Sequence, residues 1–245
     1  MKLMVNGYEA HVATGGKKFE KNLPTVLFLH GSGLDHRSWA LQTRWFAYNG
    51  FGVLAPDFPG HSLSKGAPCV TIEDSGKWLA DFLDAMGVRE AHVVGHSQGF
   101  LSALELSKLK PTALKSLIGV GTAAAIPVNP MLIETAERSP MKAADLMLQW
   151  GFGHQTQMGV SATPGMQPIA IGRQIMGNNP LAVDLQCCAD YCGGVDAVGL
   201  VTAPSAMILA GQDKMTPIKA GLAIADHLQA KLVVLRNYGH MLPIE

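Results

Sequence analysis

Five residues, Gly95-His96-Ser97-Gln98-Gly99, stand between an apolar run, Ala91-His92-Val93-Val94, and a helical pattern that begins Phe100-Leu101-Ser102-Ala103-Leu104. A chain can pass from strand to helix in so few residues only where no side chain obstructs the reversal, and two glycines flank this step. The serine of such a G-x-S-x-G turn presents its hydroxyl at the carboxyl end of a sheet, and the N–H of Gln98 points into the same space. The turn predicts a sheet before it, a helix after it, and a nucleophile whose partners come from elsewhere.

The rest of the chain supplies that sheet. Residues 2–5 and 8–14 read as a hairpin closed at Asn6-Gly7. Thr25-Val26-Leu27-Phe28-Leu29, bounded by Pro24 and Gly31, is an unbroken apolar run suited to a strand buried on both faces. A helical pattern over residues 38–48 precedes a strand at 52–55. Thr71-Ile72-Glu73-Asp74 resembles a capping box with Asp in place of Glu, opening a helix that runs to Met86 and stops at Gly87. Further strands are expected at 91–94, 114–120, 205–210 and 231–236, with helices to Lys110 and over 218–229. Alternation of this kind predicts an α/β fold, a mostly parallel eight-stranded sheet with helices on both faces. The rhythm breaks over residues 122–203, where Pro127, Pro130, Pro140, Pro164, Pro168 and Pro180 cut the chain into short helical pieces. The expected organisation is a core of residues 1–121 and 204–245 with a helical cap, 122–203, inserted after the sixth strand as a lid over the sheet's carboxyl edge.

Lysine plus arginine equals aspartate plus glutamate at 19 each, which leaves no net charge to attract nucleic acid or an anionic membrane. Apolar runs are too short to span a bilayer, and Met1–Gly7 lacks an apolar signal-peptide region, so the expected location is cytoplasmic. Cys69, Cys187, Cys188 and Cys192 have neither C-x-x-C spacing nor a nearby histidine, so they read as buried thiols, and no metal is expected. Gly119-Val120-Gly121-Thr122-Ala123-Ala124 matches a dinucleotide pattern but lacks the helix that should follow it, so no cofactor is expected.

The partners of Ser97 sit where parallel strands end. Gly211-Gln212-Asp213 follows the strand at 205–210, and Tyr238-Gly239-His240-Met241 follows the strand at 231–236. A serine hydroxyl attacks well only when an imidazole accepts its proton, and the imidazole needs a carboxylate to fix its tautomer. Ser97, Asp213 and His240 occur in the chain order that accompanies a G-x-S-x-G turn.

With HGSG at 30–33, DFPGHSLS at 57–64, GHSQG at 95–99, GQDKMTP at 211–217 and YGHM at 238–241, the chain resembles the α/β-hydrolase superfamily from about residue 24 onward. The resemblance implies that the backbone N–H of Ser32 joins that of Gln98 in an oxyanion hole. Ser62 replaces the second glycine of the family's G-H-G-x-S, a change in a structural turn. Some members carry the acid after an earlier strand, but residues 121–124 offer no carboxylate, which favours Asp213. The family usually continues past the histidine loop into a final helix, whereas this sequence closes on Leu242-Pro243-Ile244-Glu245; if the chain ends there, His240 sits near a free terminus and is expected to be mobile. His30, His61 and His96 are expected to hold their turns by hydrogen bonds, and Asp35-His36 to form a solvated loop. Leu34, Trp39, Met147, Trp150 and Met241 are the candidates for a substrate pocket, in a methionine-rich region that also holds Met131, Met141, Met158, Met166 and Met176. The expected activity is cofactor-free cleavage of a carboxylic ester of a small, largely apolar molecule through an acyl-enzyme. Carbon–carbon bond hydrolysis of ring-cleavage products and haloperoxidase-like perhydrolysis are alternatives, and a non-catalytic small-molecule receptor is a more distant one. A serine nucleophile disfavours the dehalogenases and epoxide hydrolases of this fold, which use a carboxylate. Oligomeric state does not follow from these residues.

Overall fold

The computed structural model describes residues 1–245. Strands β1 (Lys2–Val5) and β2 (Tyr8–Ala13) form the expected hairpin, with Asn6 and Gly7 at φ 50° and 82°, the left-handed pair that a tight two-residue turn requires. Next come β3 (Thr25–Leu29), a 3₁₀ turn at His36–Trp39, α1 (Ala40–Tyr48), β4 (Gly52–Pro56) and α2 (Ile72–Met86). The Thr71 side chain accepts from the N–H of Asp74 at 3.0 Å, and Gly87 ends α2 in the left-handed conformation. The single helix expected over 38–48 is therefore two elements, because the Asp35 side chain caps a 3₁₀ turn first. The chain goes on through β5 (Ala91–His96), α3 (Gln98–Leu109) and β6 (Leu114–Val120).

Between β6 and the next strand lie six helices: α4 (Pro130–Arg138), α5 (Pro140–Gly151), α6 (His154–Gln157), α7 (Pro168–Met176), α8 (Leu181–Asp190) and α9 (Gly194–Gly199). Proline opens α4, α5 and α7, positions where its fixed φ suits the helix and its missing N–H has no intrahelical partner to lose. β7 (Ser205–Ala210), α10 (Ile218–His227) and β8 (Lys231–Leu235) complete the chain.

The eight strands form one sheet in the order β1-β2-β4-β3-β5-β6-β7-β8, antiparallel at the β1-β2-β4 edge and parallel from β4 onward. The carboxyl ends of β3 to β8 therefore lie along one edge, where ligands of such sheets bind. The main core fills the space between the sheet and α2 and α3, and it takes in Tyr191, Ala197 and Val198 around α9. Burial on both faces holds for β3 and β4 but not for β8, where Leu232 and Val233 are more than 40% exposed. A second cluster joins Leu132, Met147, Leu148, Phe152, Met176 and Leu185 from α4 to α8 with Leu34 and Met241 from the loops at the sheet's carboxyl edge. The inserted helices thus share a core with those loops.

Candidate active site

Ser97 has φ 51° and ψ −121°, a conformation that a residue with a side chain rarely takes and that costs on the order of 1–3 kcal/mol. It is held there from both sides. Its N–H donates to Val120 O at 3.1 Å, and Thr122 Oγ1 donates to its carbonyl at 3.0 Å. The flanking glycines serve close approach rather than backbone freedom, since neither has a positive φ. A Cβ on Gly95 would lie 2.5 Å from the backbone of Phe100, and one on Gly99 2.5 Å from Leu29 O.

His240 Nε2 lies 3.0 Å from Ser97 Oγ, and its Nδ1 lies 2.9 Å from Asp213 Oδ2. That carboxylate also accepts from Thr216 Oγ1 on Oδ2 and from the N–H groups of Met215 and Thr216 on Oδ1, each at 2.8 Å. Burial pushes the Asp213 carboxyl up, but His240 and the Thr216 donors outweigh it and hold it below its ordinary value. Three residues far apart in the sequence form one hydrogen-bonded line, and all three are buried.

The histidine loop is tied to its neighbours by hydrogen bonds. His96 Nε2 donates to His240 O at 2.8 Å, and the Glu245 carboxylate accepts from the N–H groups of Gly153 and Gly239 at 2.7 and 2.6 Å. Burial, reinforced by His240, lowers the His96 pKa to about 3, so this ring remains neutral beside the other.

Ser32 and Gln98 meet beside each other, where Ser32 Oγ donates to Gln98 Oε1 at 2.9 Å. The Ser32 N–H donates to no protein group, and Gln98, as the first residue of α3, has no intrahelical acceptor for its own.

Ser32, Ser97 and His240 open into a cavity of about 190 Å³. Leu34, Met147 and Met241 line it as expected, and Trp150 stands half-exposed at its mouth. Trp39 does not reach it. The 3₁₀ turn carries that indole onto the other side of His96, against Phe28, with ring centroids 5.1 Å apart. Among the remaining methionines, Met131 and Met158 are exposed and Met176 packs among the inserted helices. Sequence reasoning missed Ile126, Val128, Leu132, Leu185, Cys188 and Lys214 as lining residues, because most belong to segments with no regular alternation. It also missed Thr216, although a hydroxyl three residues after Asp213 was a usable signal.

The other sequence expectations divide. His30, His61 and His96 do hold turns. Asp35 is fully buried instead of solvated, because it accepts from the N–H, Nε and Nη2 of Arg37. Ser62 has φ 45°, which explains a preference for glycine at that position. Cys187 and Cys188 are buried, and burial pushes both thiols up to about 12, whereas Cys192 is exposed because it follows the end of α8. One group of metal-ligand type, His11, His36 and Asp57, brings its donor atoms within 4.8 Å of one another. Asp57 Oδ1 there already accepts from the backbone N–H and ring of His36, which ties the end of β4 to the 3₁₀ turn. No helix is long and apolar enough to cross a membrane.

A family model described as the alpha/beta hydrolase family matches residues 26–245. The chain belongs to the α/β-hydrolase family. A 2-hydroxy-6-oxononadienedioate/2-hydroxy-6-oxononatrienedioate hydrolase of Dechloromonas aromatica is 27% identical over 234 residues, which cover 88% of this chain and 80% of the relative. Alignments to other curated relatives are shorter and span between 28% and 41% of their length. Among solved structures, the enol-lactonase of Burkholderia xenovorans LB400 superimposes with a TM-score of 0.86 at 23% identity, covering all of this α/β hydrolase and 94% of that chain. A thermophilic esterase of Thermogutta terrifontis gives 0.84 at 24% identity, covering 100% and 92%. At these identities the two structures speak for the fold alone.

Proposed function

We propose that this α/β hydrolase is a serine esterase that cleaves small, largely apolar carboxylic esters. The observation that carries the reading is the unbroken line Ser97 Oγ–His240–Asp213, ending in a small cavity walled mainly by apolar side chains. Ser97 Oγ attacks the ester carbonyl carbon while its proton passes to His240 Nε2, and Asp213 steadies the imidazolium. The N–H groups of Ser32 and Gln98 receive the negative charge that forms on the carbonyl oxygen, and one such donor is worth roughly 3–4 kcal/mol of barrier. The leaving alkoxide departs with the proton from His240. Water, deprotonated by the same ring, then splits the acyl-enzyme to acid and free serine.

Residues 122–203 act as a lid that shapes the acyl pocket. At about 190 Å³ the cavity falls below the roughly 300–1,000 Å³ of drug-sized pockets, which favours short acyl groups. The deciding experiment treats the protein with a fluorophosphonate and weighs it. One adduct, located on Ser97 and absent from Ser97→Ala, is expected, and a protein left unlabelled overturns the reading.

A second reading, carbon–carbon bond hydrolysis, draws on the relative from Dechloromonas aromatica, whose alignment covers 88% of this chain and whose name describes a dioate. Lys214 at the cavity rim is exposed and supplies a counter-charge for such an anion. Turnover of a vinylogous diketone carboxylate at a higher kcat/KM than p-nitrophenyl butyrate selects this reading, and the reverse order selects the esterase.

A further inference from the structure

His61 lies buried in the loop after β4, and both of its ring nitrogens face acceptors. Nδ1 is 3.0 Å from Pro59 O, and Nε2 is 2.9 Å from Oδ2 of Asp184 on α8. A carbonyl and a carboxylate have no proton to offer, so each nitrogen carries its own, and a ring with two N–H groups is an imidazolium. The adjacent His30 is constrained in the opposite way. Its Nδ1 donates to Gly31 O while its Nε2 accepts from the N–H of Phe58, which makes it neutral. Burial pushes the His61 ring down, but Asp184, the Pro59 carbonyl and Asp57 outweigh it and lift the ring above its ordinary value. Burial and the His61 charge lower the His30 pKa to about 4.

The same Asp184 oxygen that receives His61 also accepts from the N–H of Gly33, at 2.7 Å. Asn179, just before α8, makes a second tie. Its Nδ2 donates to the carbonyls of Gly33 and Leu34 at 3.0 and 3.1 Å, and its Oδ1 accepts from the N–H of Ser62 at 2.8 Å. The lid therefore grips the loop that carries Ser32, and the 59–62 loop grips the lid. Neither Asp184 nor His61 lines the cavity, so neither touches substrate.

We propose that Asp184, with His61 as its charge partner, is a positioning residue for the oxyanion hole: it fixes Gly33 so that the Ser32 N–H stays aimed at the forming oxyanion. The proposal rests on the serine-hydrolase reading above. The groups that face His61 are Asp184 and Asp57, which favour its charge, and His30, which opposes it. The folded value is raised, so the clamp is intact below about pH 6.5 and is lost as pH rises through that higher value. A neutral His61 leaves one nitrogen lone pair against a carbonyl or a carboxylate and loosens the loop.

The test is steady-state kinetics of wild type, Asp184→Asn and His61→Gln on p-nitrophenyl butyrate across pH, together with inhibition by an alkyl trifluoromethyl ketone, whose adduct places an oxyanion in the hole. Expected are a loss of kcat of roughly 10- to 100-fold with KM changed by less than about threefold, and an equal weakening of ketone binding. The alkaline fall of wild-type kcat moves to lower pH in Asp184→Asn and is absent from His61→Gln. Unchanged kcat and ketone affinity, or a rise in KM alone, would show that the contacts merely fasten the lid and would overturn the proposal. Should Asp184→Asn melt below the assay temperature, His61→Gln and the wild-type pH profile decide, and a wild-type kcat without an alkaline fall overturns it. Fluorophosphonate labelling of wild type separates the two levels. An unlabelled Ser97 removes the hydrolase reading and this proposal together, whereas a labelled Ser97 with unaltered variants removes this proposal alone.

Discussion

His240 and His61 each lie buried with one ring nitrogen 2.9 Å from an aspartate oxygen, and they differ on the far side of the ring. The second nitrogen of His240 meets the hydroxyl of Ser97, a group that can give up a proton. The second nitrogen of His61 meets the carbonyl of Pro59, which cannot. The first environment suits a base that cycles between neutral and charged, and the second keeps the ring charged to a higher pH than an ordinary imidazole. A buried imidazole–carboxylate pair therefore does not identify a catalytic histidine. The third partner does.

The largest effect that can break this contrast comes from Ser97→Ala. With the hydroxyl gone from the Nε2 side of His240, kcat should fall by about 10⁴-fold or more while the melting temperature stays near wild type. Retained turnover in a pre-steady-state assay would show that the His240 line is as structural as the His61 pair. Asp213→Asn comes next, with an expected loss of about 10³- to 10⁴-fold, because an amide can hold the ring in the wrong tautomer. Thr216→Val should cost about tenfold in kcat by removing one charge-assisted bond to Asp213, read by steady-state kinetics at neutral pH.

The effect expected to be smallest at neutral pH concerns stability. His30 and His96 have folded values of about 4 and about 3, so below pH 6.5 the unfolded chain binds protons that the native chain refuses. Each should remove about 1.4 kcal/mol per pH unit until its folded value is reached, while His61, with its raised value, acts in the opposite sense at higher pH. Urea midpoints at pH 7, 6 and 5 should decline, and His96→Gln should flatten the slope. A wild-type midpoint constant over that range would mean that neither ring stays neutral.

The strands and the hydrogen-bonded line were legible because each obeys a local rule. β3 and β5 announce themselves as apolar runs, and Ser97, Asp213 and His240 each sit one short step past a strand. Trp39 was misread for a local reason as well: proximity to the oxyanion loop in sequence says nothing about which face a 3₁₀ turn presents. Asp184 and Asn179 had no signal at all. Their partners His61, Gly33 and Ser62 lie more than a hundred residues away, and only the packing of α8 on the loops at the sheet edge brings them together. Methionine content was equally blind to direction, with Met147 facing the cavity and Met131 facing water.

The unequal burial of the four cysteines makes this chain easy to tag. The thiols of Cys187 and Cys188 are pushed up to about 12, and that of the half-buried Cys69 is also raised by burial. At neutral pH these three are almost wholly protonated and poor nucleophiles. A maleimide dye should therefore attach at Cys192, the exposed residue beside the buried Tyr191, without a single engineered substitution.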